Sequence, residues 1–317
     1  MPSARILVLA AAAGLALARL AAADDSLPPS QIQAGGATID VTFGAGKIDL
    51  PQARILAWIS TAAEAVSGYF GRFPVSHARI LIRPAEGRRG VFQGTTYGGS
   101  RGAFTRISLG QLTDQQQLDN DWMMTHELVH MAFPNIEGDD RQHHWIEEGM
   151  ATYIEPIARV QIGTLAAAQI WGEMARDMPQ GLPAAGDRGL DNTHTWGRTY
   201  WGGALFWLLA DCQIRERTRN RAGLQDAMRA ILEAGGNILE DWPIERVLET
   251  GDKATGVTAL ADLYNEMKAT PVQTDLPALW KRLGVEAHGG MATFNDQAPL
   301  AEIRKAITAP PKARKDR

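Results

Sequence analysis

The sequence predicts an α+β fold: a small N-terminal mixed sheet with a helix, followed by a mostly helical part. Three observations carry this. Before residue 112, short stretches alternate apolar and polar residues with period two, as half-buried strands do. After residue 113, apolar residues recur at helical spacing, and Pro or Gly punctuates the runs. The chain of 317 residues is 45% apolar and 21% charged, an ordinary globular balance, long enough for one large domain or two modest ones.

In chain order, residues 1–23 read as an export signal. Arg5 gives a positive end, and Ile6 to Ala18 is apolar but too short to span a bilayer as a mature helix. Ala21-Ala22-Ala23 has the form of a cleavage site; Ala16-Leu17-Ala18 is a second candidate, and an uncleaved anchor is the alternative. Residues 24–36, polar with Pro and Gly, read as a flexible lead. Residues 37–112 form the expected N-terminal α/β subdomain. It holds a strand over Ala37–Phe43, an amphipathic helix over 51–70 broken by Gly71, and a strand over His77–Arg83. A glycine-rich turn, Gly98–Gly102, then precedes a strand over Ala103–Leu109; it is either a wall of a cleft or an ordinary hairpin.

Residues 113–270 form the expected helical subdomain. Thr113-Asp114-Gln115-Gln116 has capping-box form, so a helix should run from there to Phe133, stopped by Pro134. A loop over 135–143 follows, then helices over Trp145–Glu155 (closed or kinked by Pro156) and Thr164–Met178. After a Gly/Pro/Asp-rich loop over 179–194, Tyr200 opens a buried helix through Leu209, and Leu224, Met228 and Ile231 mark another. Residues 271–317 hold two short helices, near 276–283 and 299–307, and a basic tail. Cys212 stands alone among apolar neighbours, which excludes an internal disulfide and favours a buried thiol.

The chemistry gathers in Thr125-His126-Glu127-Leu128-Val129-His130. On a helix, His126 and His130 lie one turn apart on one face and can grip one metal ion, with Glu127 beside it as a base for an attacking water. A catalytic zinc needs a third protein ligand. Trp145-Ile146-Glu147-Glu148-Gly149-Met150-Ala151-Thr152-Tyr153 offers carboxylates on the next helix; two imidazoles and one carboxylate suit a single Zn2+. His143 and His144 read as loop or rim residues, His194 as a solvated loop histidine or a lining of the cleft near Tyr200, His77 as a strand-end surface residue, and His288 has no motif around it.

H-E-x-x-H followed by W-x-x-E-G-x-A-x-Y resembles the gluzincin zinc metallopeptidases (peptidase MA-like), above all the aminopeptidase N and glycyl aminopeptidase families. The resemblance spans roughly residues 75–235. It implies a thermolysin-like gluzincin catalytic domain with Glu148 as third zinc ligand and Glu155 as partner of a zinc-bound histidine. Arg198-Thr199-Tyr200-Trp201-Gly202-Gly203 is similar to the family's Y-x-K-G segment, which implies Tyr200 as oxyanion donor; a core or rim tyrosine is the alternative. The sequence also departs from the family. Gly202 replaces the lysine, and Gly98–Gly102, taken as the equivalent of G-x-M-E-N, carries Arg101 where the family has an acid for the substrate's free amine.

These residues together predict an exported, periplasmic or secreted, zinc-dependent peptidase acting on peptide or protein substrates. Glu127 and Tyr200 would be catalytic, and His126, His130 and Glu148 would hold the metal. The alternative is a zinc-bound module that binds peptide or envelope components without cleaving. A net charge of −4 with no basic stripe before the tail argues against nucleic acid, and no later run is long enough for a membrane helix.

Overall fold

A computed structural model describes residues 26–138 and 140–310. The expected export signal and the basic tail from residue 311 on lie outside them. The chain begins as a sheet and ends as a stack of helices, as expected.

The sheet has five strands: β1 (Ser30–Ala34), β2 (Ala37–Phe43), β3 (His77–Ala85), β4 (Val91–Tyr97) and β5 (Ala103–Gly110), in the order β1-β2-β3-β5-β4. It is mixed: β2, β3 and β5 run parallel, and β1 and β4 pair antiparallel at the two edges. β1 lies inside the segment expected to be a flexible lead. It is polar because only Ile32 is fully buried, with Ala34 packed beside it, and it pairs with β2 across a tight turn at Gly35-Gly36, both at positive φ. The crossover from β2 to β3 is α1 (Gln52–Phe70). Its Ile55, Ile59, Ala63 and Val66 are buried, and it ends on Gly71 in the left-handed conformation.

The single helix expected over 113–133 is two. α2 (Gln115–Asp119) is capped one residue later than expected, Asp114 Oδ1 accepting from the Gln117 amide and Gln117 returning the bond. The chain breaks at Asn120-Asp121, and α3 (Met123–His130) starts afresh. β6 (Asn135–Ile136) then leads to α4 (Asp140–Gln161), which begins before the expected loop ends and carries Pro156 within it. α5 (Ala167–Asp177), a π-helical turn over Arg198–Gly202 and α6 (Gly203–Thr218) complete the wall around the site. α7 (Leu224–Glu233), β7 (Asp241–Trp242, paired with β6), α8 (Ile244–Thr255), α9 (Ala259–Met267) and α10 (Leu276–Leu283) close the far side. A hairpin of β8 (Val285–His288) and β9 (Met291–Phe294), an addition to the two short helices expected there, precedes α11 (Ala301–Thr308). Cys212 is buried on α6, and burial pushes its thiol up, so it has the character of a structural group.

Candidate metal centre

α3 owes its start to Asp121. The Asp121 carboxylate accepts from the Met123 and Met124 amides at 3.1 and 3.0 Å and from the Trp58 indole at 3.1 Å. Met124, Leu128 and Val129 face the core, which turns His126 and His130 toward the cleft. α4 is pinned beside it. The Trp145 indole donates to Asp191 Oδ1 at 2.8 Å, and the Trp207 indole of α6 donates to the Ile146 carbonyl at 2.9 Å. That orientation brings Glu148 to the histidines. His126 Nε2 lies 3.1 Å from Glu148 Oε2 and 3.3 Å from His130 Nε2, and His130 Nε2 lies 3.6 Å from Glu148 Oε2. Two donors about 2.0–2.1 Å from one tetrahedral ion sit about 3.3 Å apart, so this set fits a single zinc.

The site's field favours a cation. Burial opposes ionisation of Glu148, but its bonds to His126 and His130 hold its carboxyl well below the usual range. Burial would likewise pull the His130 imidazole down; Glu148, with Glu127 and Glu147 behind it, pushes it up to about 9 instead. His144 lies on α4 rather than in a loop, and its Nε2 reaches within 3.6 Å of Glu148 Oε1. Glu147 faces the same pocket, raised by burial, and accepts from the Ile136 amide at 3.3 Å. His143 is buried with its Nε2 3.3 Å from the Tyr264 hydroxyl. His194 is exposed in an irregular segment, His288 is exposed on β8, and His77 pairs with Asp40 at 2.8 Å on the surface.

The wall opposite the histidines is β4, a strand that no regular alternation marks in the sequence. Glu127 is held against it. Thr96 Oγ1 lies 2.7 Å from Glu127 Oε2, 2.9 Å from the Glu127 carbonyl oxygen and 2.9 Å from Thr105 Oγ1. Thr105 is fully buried, so its hydroxyl donates to Thr96, and the Thr96 hydroxyl donates to the carboxylate. A Cβ at Gly94 would come within 2.4 Å of Glu127 Oε1, so only glycine allows this approach. The β4–β5 register shifts between Phe92 and Thr95, where Gln93 has φ +57°. That bulge breaks the period-two pattern that would have marked the strand. Gly98–Gly102 is not the cleft wall. It is the hairpin connection from β4 to β5, with Arg101 exposed and the Gly99 amide bonded to the Ile238 carbonyl at 2.9 Å.

No protein-family model matches the chain, and no curated protein sequence does. Solved structures are similar to it. An aminopeptidase N family protein from Idiomarina loihiensis is 15% identical with a TM-score of 0.62, covering 81% of this chain and 49% of that one. A two-domain M1 zinc metallopeptidase solved with L-arginine is 16% identical with a TM-score of 0.51, covering 80% of this chain and 52% of that one. The fold is that of a gluzincin metallopeptidase. The chain spans about half the length of these structures.

Within the gluzincin fold, the remaining expected residues sort as follows. Tyr200 lies on the π-helical turn and lines the metal pocket with Glu148; burial, with the charges of Glu148 and Glu127, pushes it up to about 12, so it stays a donor. The turn is clamped by an Arg198 Nε–Asp187 Oδ2 ion pair at 2.8 Å, and the Trp196 indole stacks on the Tyr200 ring at 5.5 Å. Glu155 is buried with its Oε1 paired to Arg159 Nη1 at 3.0 Å, not bonded to either histidine; burial pushes its carboxyl up to about 7 even against Arg159. Gly202, at the lysine position, packs against Leu190 and Arg198, which occupy the space a side chain would need.

Proposed function

We propose that the chain is an exported zinc-dependent peptidase that hydrolyses peptide bonds with a metal-activated water. The observation that carries this reading is the convergence of His126, His130 and Glu148 on one point, with Glu127 fixed by Thr96 in the same pocket. A bound zinc ion would polarise the scissile carbonyl and make water acidic enough to deprotonate near neutral pH. Glu127 takes the proton from the attacking water and passes it to the leaving amine. Tyr200 donates a hydrogen bond to the oxygen that gains charge at the former carbonyl. The free edge of β4, through Gly94, Thr95 and Thr96, offers backbone groups to an extended peptide.

Glu127→Gln tests the reading. It should keep zinc in elemental analysis and abolish cleavage of a broad peptide library that the unaltered protein digests. Digestion that survives both this change and a chelator would remove the metal mechanism. The second reading, a module that binds without cutting, is disfavoured by the held base, which binding alone does not require. The N-terminal residues support export, and the start of the mature chain, read by N-terminal sequencing of the periplasmic or secreted fraction, tests it. Among the described residues no helix is long and apolar enough to cross a membrane.

A further inference from the structure

A second cleft opens beside the metal pocket. Its volume is about 670 Å³ against about 460 Å³ for the pocket itself, and the two share Trp122, His126 and Tyr200. We propose that this cleft is a recognition site for a long cationic side chain, arginine or lysine, on the carboxyl side of the bond that is cut. The inference rests on the peptidase reading and adds a substrate class to it.

The mouth of the cleft is aromatic. Trp122 and Trp196 are 49% and 60% exposed, a large apolar outlay on a surface unless something covers it. Trp122 stands edge-on to His126 with centroids 5.3 Å apart, and Trp196 stacks on Tyr200. Both indoles therefore border the point where a residue joined to the scissile carbon must enter. Indole faces hold a cation's charge and its methylene stem together. Further in, Ile170 and Met174 give an apolar lining for the stem.

Charge selects the head group. The cleft holds four carboxylates, Asp119, Glu155, Glu173 and Asp177, and two guanidinium groups, Arg159 and Arg176. Both guanidinium groups are taken: Arg159 pairs with Glu155 at 3.0 Å and Arg176 with Asp177 at 2.5 Å. Among the described residues, the side chains of Asp119 and Glu173 are bonded only to neutral amides, Gln115 Nε2 at 2.7 Å and Gln169 Nε2 at 3.0 Å. Setting the buried Glu155–Arg159 pair aside, Asp119, Glu173 and Asp177 face one guanidinium group, Arg176, so the rest of the cleft is net negative. An incoming cation finds an unpaired carboxylate; an incoming anion finds none of the guanidinium groups free.

The side of the bond follows from strand direction. β4 and α3 run in the same sense, since Gly94 meets Met123 and Thr96 meets Glu127. Antiparallel pairing is the more stable way to add a strand to this edge. A peptide so paired has its C-terminal residues toward the Trp122 end, where this cleft lies.

The test titrates the zinc-loaded Glu127→Gln protein with peptides that differ at one position, Arg, Lys, Gln, Phe or Glu, and reads tryptophan fluorescence. A parallel digest with the unaltered protein locates the cut. Arg and Lys peptides should bind about tenfold tighter than the Gln peptide at low salt, the size expected of one cation–π contact plus one opposed charge. Glu173→Gln should shrink that ratio, and Trp196→Ala, at an exposed position, should weaken Arg binding without loss of zinc. Equal binding of Gln or Phe, absence of binding by every peptide, or cuts placing the basic residue only on the amino side would each overturn the inference. A basic preference in binding with no cleavage anywhere would leave the recognition site standing and sink the peptidase reading instead.

Discussion

Glu127 is placed by contacts that leave it little freedom. One carboxylate oxygen lies where Gly94 lacks a Cβ, and the other accepts from Thr96, which in turn accepts from buried Thr105. In the proposed reaction the proton would arrive at and leave an oxygen whose orientation is set by that bond. Thr96→Val keeps the shape and removes the donor. Loss of a hydrogen bond to a charged group costs about 1.5–3 kcal/mol, so kcat should fall by about ten- to a hundredfold with KM little changed. Thr96→Ser should restore most of it, and a Val variant with unaltered kcat would deny Thr96 any part in placing the base. Tyr200→Phe asks a separate question. It lines the pocket with Glu148, and in the proposed reaction its hydroxyl would donate to the substrate oxygen. Zinc content should be unchanged and kcat lower by about a hundredfold, the usual order for one lost oxyanion donor.

The elements of the site differ in how plainly the sequence announced them. His126, Glu127, His130 and Glu148 were legible because each pattern is local: a helix fixes its own spacing, and two consecutive helices meet through a short connection. β4 was not, because its bulge at Gln93-Gly94 cancels the alternation that marks a strand, although that bulge is what lets Glu127 in. Asp121 reads as an interior residue of one long helix, whereas it lies in the break between two and its side chain accepts from the first amides of the second. The π-helical turn under Tyr200 was hidden because its five-residue bonding follows no apolar repeat; it shares a wall with Gly149 of α4. At that wall a Cβ on Gly149 would lie 2.3 Å from the Gly203 backbone. Gly149→Ala must therefore push α6 off α4, at a cost of about 1–3 kcal/mol for overpacking. The urea midpoint should drop, and activity should drop with it, since Glu148 precedes this contact and Tyr200 sits three residues before Gly203. An Ala variant of undiminished stability would mean the helices part freely.

At the scale of the whole molecule, one apolar cluster runs without a break from Ile32 on β1 to Ile307 on α11, so sheet and helices should unfold together. The candidate metal ligands are embedded in that unit: His126 and His130 on α3 and Glu148 on α4, elements that reach each other only in the folded state. An ion that binds the folded chain and not the unfolded one stabilises it by mass action, by about 2.7 kcal/mol when free ion stands at a hundred times its dissociation constant. Unfolding followed by circular dichroism and by tryptophan fluorescence should therefore give one coincident transition, and buffered free zinc should move it upward in step with the logarithm of its concentration. Glu148→Ala should abolish that zinc dependence while leaving a folded protein, because the residue is only partly buried and its carboxylate is bordered by histidines that solvent can then reach. A zinc-dependent midpoint that persists in the Ala variant would place the stabilising ion elsewhere in the chain. A midpoint indifferent to zinc in both proteins would mean that the three donors do not act as one site.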